Sequence, residues 1–238
     1  MHTIYKKFFA LTIVAGLATP VLAEGPMNTD DAGTLHQGGM KIEGVLGHDD
    51  KVRSAELGFG YGLVENIEIG FGLARETDHN PDTNTKVRGV GFGIKWVPIQ
   101  NDTGWSLGAR FGFGKARVDE PEVADKFTEK DFFVGGLATY RFENGQVVHF
   151  NLGATRGVIE ADSDTPGVTE TLYNWGIGYE SPLLENLQLT LEVYGDEHGR
   201  PDKAIGLRYE ILDGLKIYGS VGSGSDRRFG NLGVAWEF

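Results

Sequence analysis

Large apolar residues alternate with small or polar ones along nearly the whole of this chain, and the two sets of positions differ in kind. Its last residues show the pattern plainly. Leu232, Val234, Trp236 and Phe238 fall on one parity, and Asn231, Gly233, Ala235 and Glu237 on the other. Side chains of a strand point to opposite faces in turn, so a run of this kind can segregate its faces only as a β-strand. A strand at the end of a chain still needs a neighbour for its backbone N–H and C=O groups. The C-terminus is therefore expected to be built into a sheet.

The same alternation predicts twelve strands, at about 40–48, 52–63, 67–76, 86–97, 104–117, 130–142, 147–157, 170–180, 187–196, 203–211, 215–222 and 229–238; ten is the competing count, because 40–52 makes a weak hairpin. Between them a short motif recurs: Leu63-Val-Glu-Asn-Ile-Glu-Ile69, Leu183-Leu-Glu-Asn-Leu-Gln-Leu189 and Ile211-Leu-Asp-Gly-Leu-Lys-Ile217. Each sets Glu-Asn or Asp-Gly between two apolar arms, as a tight hairpin does. Phe142 to Gln146 is a looser copy. The intervening connections, near 77–85, 118–129, 158–169 and 197–202, are longer and more polar. Short turns on one side and long loops on the other are the pattern of a transmembrane barrel, and an even strand count returns both ends to the short-turn side.

Which face looks outward follows from bulk. The apolar face carries rings, such as Phe59, Phe92 and Trp96, while the other is mainly Gly with scattered charges, as at Gly70, Gly72, Gly91, Gly93, Gly112, Gly176 and Gly178. Rings packed inside a small barrel, with glycine outside, would overfill the core. Rings turned to lipid avoid this. Tyr61, Trp96, Trp105, Tyr140, Tyr179, Tyr209 and Trp236 all share the apolar parity and lie near a short turn or the C-terminus. That is an interface girdle at one height of a bilayer. The predicted fold is an all-β, antiparallel, up-and-down transmembrane barrel over 40–238.

The N-terminus fits export. Lys6 and Lys7 precede an apolar run that ends at Val21-Leu22-Ala23, which reads as a signal peptide cleaved after residue 23. Its loss removes two lysines and no acid, taking the formal charge from −12 to −14. So acidic a chain is a poor nucleic-acid binder. With no cysteine, disulfides, thiolate metal sites and a lipid-modified N-terminal Cys are excluded. No cofactor or metal site is expected: the loop acids, such as Asp162, Asp164 and those from Glu120 to Asp131, match no ordered calcium-loop spacing.

Residues 24–39, rich in Gly, Asp and Pro, read as an irregular periplasmic tether or lumen plug. The charges expected inside the barrel are Lys41, Glu43, Glu56, Glu68, Lys95, Arg110, Arg141, Glu180, Glu192, Arg208, Glu210, Lys216 and Glu237. Of these, Lys95, Arg110, Arg141, Glu192, Arg208, Glu210 and Lys216 are candidates for the lining that sets selectivity. Asp30 and Asp31 are plug candidates, expected near Lys95, Arg110 or Arg141. No catalytic residues are assigned. His48, His79 and His198 stand beside loop acids, which leaves an Asp-His hydrolase as an alternative, and no nucleophilic Ser is placed near His149.

Two resemblances sharpen the expectation. The aromatic ending resembles the closing strand of Gram-negative outer-membrane barrels, which implies that Phe238 is an assembly signal and that the partners are outer-membrane lipid and the barrel-assembly machinery. Pro26, Thr29-Asp-Asp-Ala-Gly-Thr34 and Lys41-Ile-Glu43, with Leu191-Glu-Val-Tyr-Gly195, resemble the proteobacterial outer-membrane family of the meta-pathway of phenol degradation, whose members are transporter-like barrels. That resemblance implies a channel or transporter, not an enzyme, for small solutes, hydrophobic or aromatic ones included. The alternatives are a closed structural or adhesive barrel and the loop hydrolase.

Overall fold

A computed structural model describes residues 25–50, 52–78, 85–119, 126–161, 167–224 and 227–238; the signal-peptide reading of 1–23 lies outside them. Twelve antiparallel strands close into one barrel: β1 (Met40–Asp49), β2 (Val52–Val64), β3 (Ile67–Asp78), β4 (Lys86–Ile99), β5 (Gly104–Asp119), β6 (Phe127–Arg141), β7 (Val147–Ala161), β8 (Val168–Leu184), β9 (Leu187–Asp196), β10 (Asp202–Leu212), β11 (Leu215–Ser223) and β12 (Arg228–Glu237). Each strand pairs with its sequence neighbour, and β12 closes on β1, with Ile42 opposite Trp236. The amide of Met40 donates to the Phe238 carbonyl at 2.8 Å and the Phe238 amide returns a bond to Met40 at 2.9 Å. Among the described residues no strand edge is left unpaired, which is what a membrane demands.

The turns are where the motifs put them. Glu65-Asn66, Glu185-Asn186 and Asp213-Gly214 each join two strands with two residues between. Gly214 has φ +73° and lies so close to β12 that a Cβ would stand 2.2 Å from the Glu237 carbonyl, so only glycine fits there. β8 runs four residues past the expected stop at Glu180. The Ser181-Pro182 pair reads as a breaker, but a register shift between Pro182 and Leu184 absorbs the missing donor and the strand continues to the turn. β7 and β6 also extend outward beyond expectation, Phe127 pairing with Ala161.

The outward face is apolar. Leu46, Leu57, Phe71, Phe92, Phe111, Leu152, Ile205 and Leu232 are all exposed, Leu152 and Leu232 by about 70% and 69%. Such a continuous apolar surface suits lipid rather than water. Tyr61, Trp96, Trp105, Tyr209 and Trp236 are exposed on it, and Tyr140 and Tyr179 are half-buried on the same parity. Trp105 meets Tyr140 edge-on at 5.1 Å, and Trp236 lies 4.7 Å from Phe238.

The inward face departs from the simple reading of glycine and charge. Val87, Ala116, Val118 and Phe127 form a small buried cluster high on β4 to β6, and Val97 and Leu137 form another with Ala32. Tyr194, Tyr218 and Phe133 also take the inward parity. A barrel of eight strands can be filled by its own side chains, whereas sixteen leave an aqueous channel. Twelve strands lie between, and part of this lumen is filled by the segment before β1.

Candidate functional site

Residues 25–39 enter the barrel at the short-turn end and lie inside it. At the mouth the Gly38 amide donates to Gly62 O at 2.8 Å and the Gly62 amide to Gly39 O at 2.9 Å. A Cβ on Gly62 would stand 2.0 Å from the His36 carbonyl, so the absence of a side chain admits the segment. Thr34 bonds Gln100 and the Glu65 carbonyl, and the Leu35 amide donates to Glu68 at 3.0 Å. Further in, Ala32 is fully buried against Val97 and Leu137. Gly176, Gly178 and Gly206 leave room for Thr29 and Pro26, which a Cβ at these positions would crowd. These glycines lie on β8 and β10.

Side chains then fix the segment. Lys95 Nζ is 2.7 Å from Asp30 Oδ1 and 3.3 Å from Asp31 Oδ1. Arg141 Nη2 donates to Asp31 Oδ2 at 3.0 Å, and Arg110 Nη1 lies 3.5 Å from Asp30 Oδ2. Asp30 is 0% exposed, so its charge depends on these cations rather than on water. Asn151 closes the other side, accepting from the Asp30 amide at 2.7 Å and donating to the Asp30 carbonyl at 2.8 Å. Glu192 accepts from the amides of Asn28 and Thr29 at 2.8 and 3.0 Å. Arg208 Nε donates to Gly25 O at 2.6 Å while its Nη1 reaches Glu180 at 2.9 Å and Gln188 at 2.8 Å.

The remaining selectivity candidates sit lower. Glu210 accepts from the Gly214 amide at 3.0 Å, and Lys216 lies 3.7 Å from Glu237. The pattern of the sequence alone did not single out Thr139, Asn151, Gln100 or Asn28. Each is an ordinary polar residue whose importance arises only when the far wall or the inner segment comes within reach. Thr139 is the clearest case. Its Oγ1 accepts from the Ala32 amide at 2.7 Å and meets His149 Nδ1 at 3.0 Å, while His149 Nε2 lies 3.1 Å from Glu180. The hydroxyl–imidazole–carboxylate order resembles a hydrolytic relay, and a Thr rather than the sought Ser stands beside the histidine. But Thr139 is fully buried and its oxygen already holds the Ala32 amide, so the chain of bonds anchors the segment. Of the loop histidines, His198 lies 3.8 Å from Glu170, well exposed, and His79 lies outside the described residues.

The inner segment divides the cavities. Two open toward the long loops. One is lined by Asn28, Glu43, Glu56, Glu76, Tyr194 and Arg227; the other, of about 310 Å³, by Asn28, Arg110, Phe133, Asn174, Arg200 and Arg227. Two open toward the short turns and share Asp31, Arg141 and Lys216. The upper pair and the lower pair have no lining residue in common.

A closed twelve-stranded antiparallel barrel with an apolar outside and a polar inside defines the class: the fold of outer-membrane β-barrels. Solved structures share it. The translocator domain of the autotransporter NalP from Neisseria meningitidis superposes with a TM-score of 0.66 at 16% identity, over 98% of each chain. The KdgM porin in complex with disordered oligogalacturonate superposes at 0.58 and 12% identity, over 83% of this chain and 99% of that one. The transport unit of the autotransporter AIDA-I from Escherichia coli gives 0.54 at 13%, over 97% of each. At such identities the likeness is one of fold. No protein-family model and no curated protein sequence matches the chain.

Proposed function

We propose that this protein is a bacterial outer-membrane channel for the passive passage of small solutes, held closed by residues 25–39. The observation that carries the reading is the division of the lumen. A barrel wide enough to hold a chain segment has cavities at both ends, separated by a segment joined to the wall mainly by side-chain bonds, with backbone bonds to Gly62 at the mouth. The KdgM porin among the structural neighbours supports a channel, and the fold is shared with the translocator domain of an autotransporter. Selectivity is assigned to Lys95, Arg110, Arg141, Glu192 and Arg208, which line the occupied height, with Glu210 and Lys216 at the lower mouth.

The test is single-channel recording in planar bilayers of refolded protein starting at residue 24 and at residue 39. The longer form is expected to be mostly silent and the shorter to conduct in steady steps. A truncated barrel that migrates as folded on a heat-modifiable gel and passes no current overturns the channel. A hydrophobic or aromatic cargo, which the likeness to the phenol-degradation family implies, is the second reading. Phe133, facing the outer cavity under the Arg110 guanidinium, is the observation that favours it.

A further inference from the structure

Arg110 is an unusual member of the inner ion cluster. The guanidinium stacks on the Phe133 ring at 4.5 Å, is largely buried, and its Nε has no hydrogen-bond partner. Its contact with Asp30 is long, 3.5 Å, against 2.7 Å for Lys95 with the same carboxylate. A buried guanidinium ordinarily satisfies its donors, and a charge-assisted pair ordinarily closes to about 2.7–2.9 Å. Arg110 therefore stands in a built position with donor capacity unused.

The same side chain is at the floor of the outer cavity. That cavity is ringed by Arg200, Arg227, Asp196 and Asp202 toward the long loops, Arg227 being paired with Asp202, and by Asn151, Thr155 and Asn174 on its wall. It differs from the neighbouring outer cavity, whose wall carries Glu43, Glu56 and Glu76. Arg227 lines both cavities, whereas Arg110 lines only this one and the three glutamates only the other. The volume of the Arg110 cavity, about 310 Å³, suits a small organic ligand.

We propose that Arg110 is the recognition group of a binding site for small carboxylate solutes, and that Asp30 partly occupies it as a stand-in for such a solute. Guanidinium and carboxylate match as planar partners, and Arg110 held flat on a ring is oriented for that pairing. A solute that takes Arg110 withdraws one of the two cationic partners of Asp30, leaving it on Lys95. Binding and loosening of the inner segment are then linked, and each must favour the other. The link to passage rests on the channel reading above; the binding itself does not.

The experiment is titration calorimetry on the folded mature protein in detergent, with succinate and benzoate as carboxylate probes and tetraethylammonium as the cationic control. Both carboxylates are expected to bind and the cation not to. Arg110→Gln is expected to weaken binding at least about tenfold, and Arg110→Lys to recover only part of it. Asp30→Asn, which removes the competing carboxylate, is expected to tighten binding by about tenfold. This opposite sign separates competition from a merely structural role, and it still decides the matter if Arg110→Gln does not fold. No carboxylate binding by folded protein, equal binding by Arg110→Gln, or weaker binding by Asp30→Asn each overturns the proposal. Binding as expected from a truncated barrel that is silent in bilayers supports the site and overturns the channel.

Discussion

At the scale of single residues, Lys95 and Gly62 do most to hold the inner segment, by different physics. Lys95 is 2% exposed and faces two carboxylates, Asp30 and Asp31. Removing one partner of a buried pair strands the other charge, at about 3–5 kcal/mol. Lys95→Gln is therefore expected to undock the segment while leaving the barrel, which shares none of that energy through its strand pairing, folded. Hydrogen exchange of the amides of 28–35 should rise by orders of magnitude while those of β4 stay protected; unchanged exchange would contradict the role given to the pair. Gly62 acts by absence. A methyl there would overlap the His36 carbonyl, and overpacking of this kind costs about 1–3 kcal/mol. Gly62→Ala is expected to increase channel opening in the protein starting at residue 24 and to have no effect in the one starting at 39.

At the scale of the element, strands and turns were legible because each is specified by local chemistry. The period of two sorts Phe59 outward and Gly60 inward without reference to any other part of the chain, and Asp213-Gly214 states its own turn. The alternation places the end of β8 at 180, and the register shift by which the strand passes Pro182 and runs on to Leu184 leaves no mark in the local pattern. The local rules also carry quantities. Gly214→Ala places a Cβ at φ +73° against the Glu237 carbonyl, and urea unfolding in detergent or lipid is expected to show a loss of about 1–3 kcal/mol. Phe71 is exposed toward lipid and pairs with Phe59 and Phe92 at mid-strand. Phe71→Arg should cost about 2–4 kcal/mol in lipid, a penalty specific to an outward position in the membrane. A cost near zero would mean that this face does not meet hydrocarbon.

At the scale of the whole molecule, parity tells which charges face inward but not which of them meet. Lys95 and Arg110 are register partners on β4 and β5, and their common contact is Asp30, which the charge and Gly-Asp-Pro character of 24–39 placed near them without giving the pairing itself. Thr139 and His149 meet as register partners across β6 and β7, and Glu180 lies two residues beyond Gly178, the partner of His149 on β8, so this contact depends on the pairing register of three strands rather than on any one run. The division of the lumen is a property of this scale too, and the absence of native cysteine makes it measurable. Asn174 lines an upper cavity and Gln188 a lower one. With a membrane-impermeant thiol reagent added to one side of a bilayer, Asn174→Cys is expected to react only from the long-loop side and Gln188→Cys only from the short-turn side. In the protein starting at residue 39 each should react from both sides, because nothing then separates the two vestibules. Labelling of Gln188→Cys from the long-loop side in the longer protein would mean that solutes pass around the inner segment, and the segment would be a lining of the pore rather than its closure.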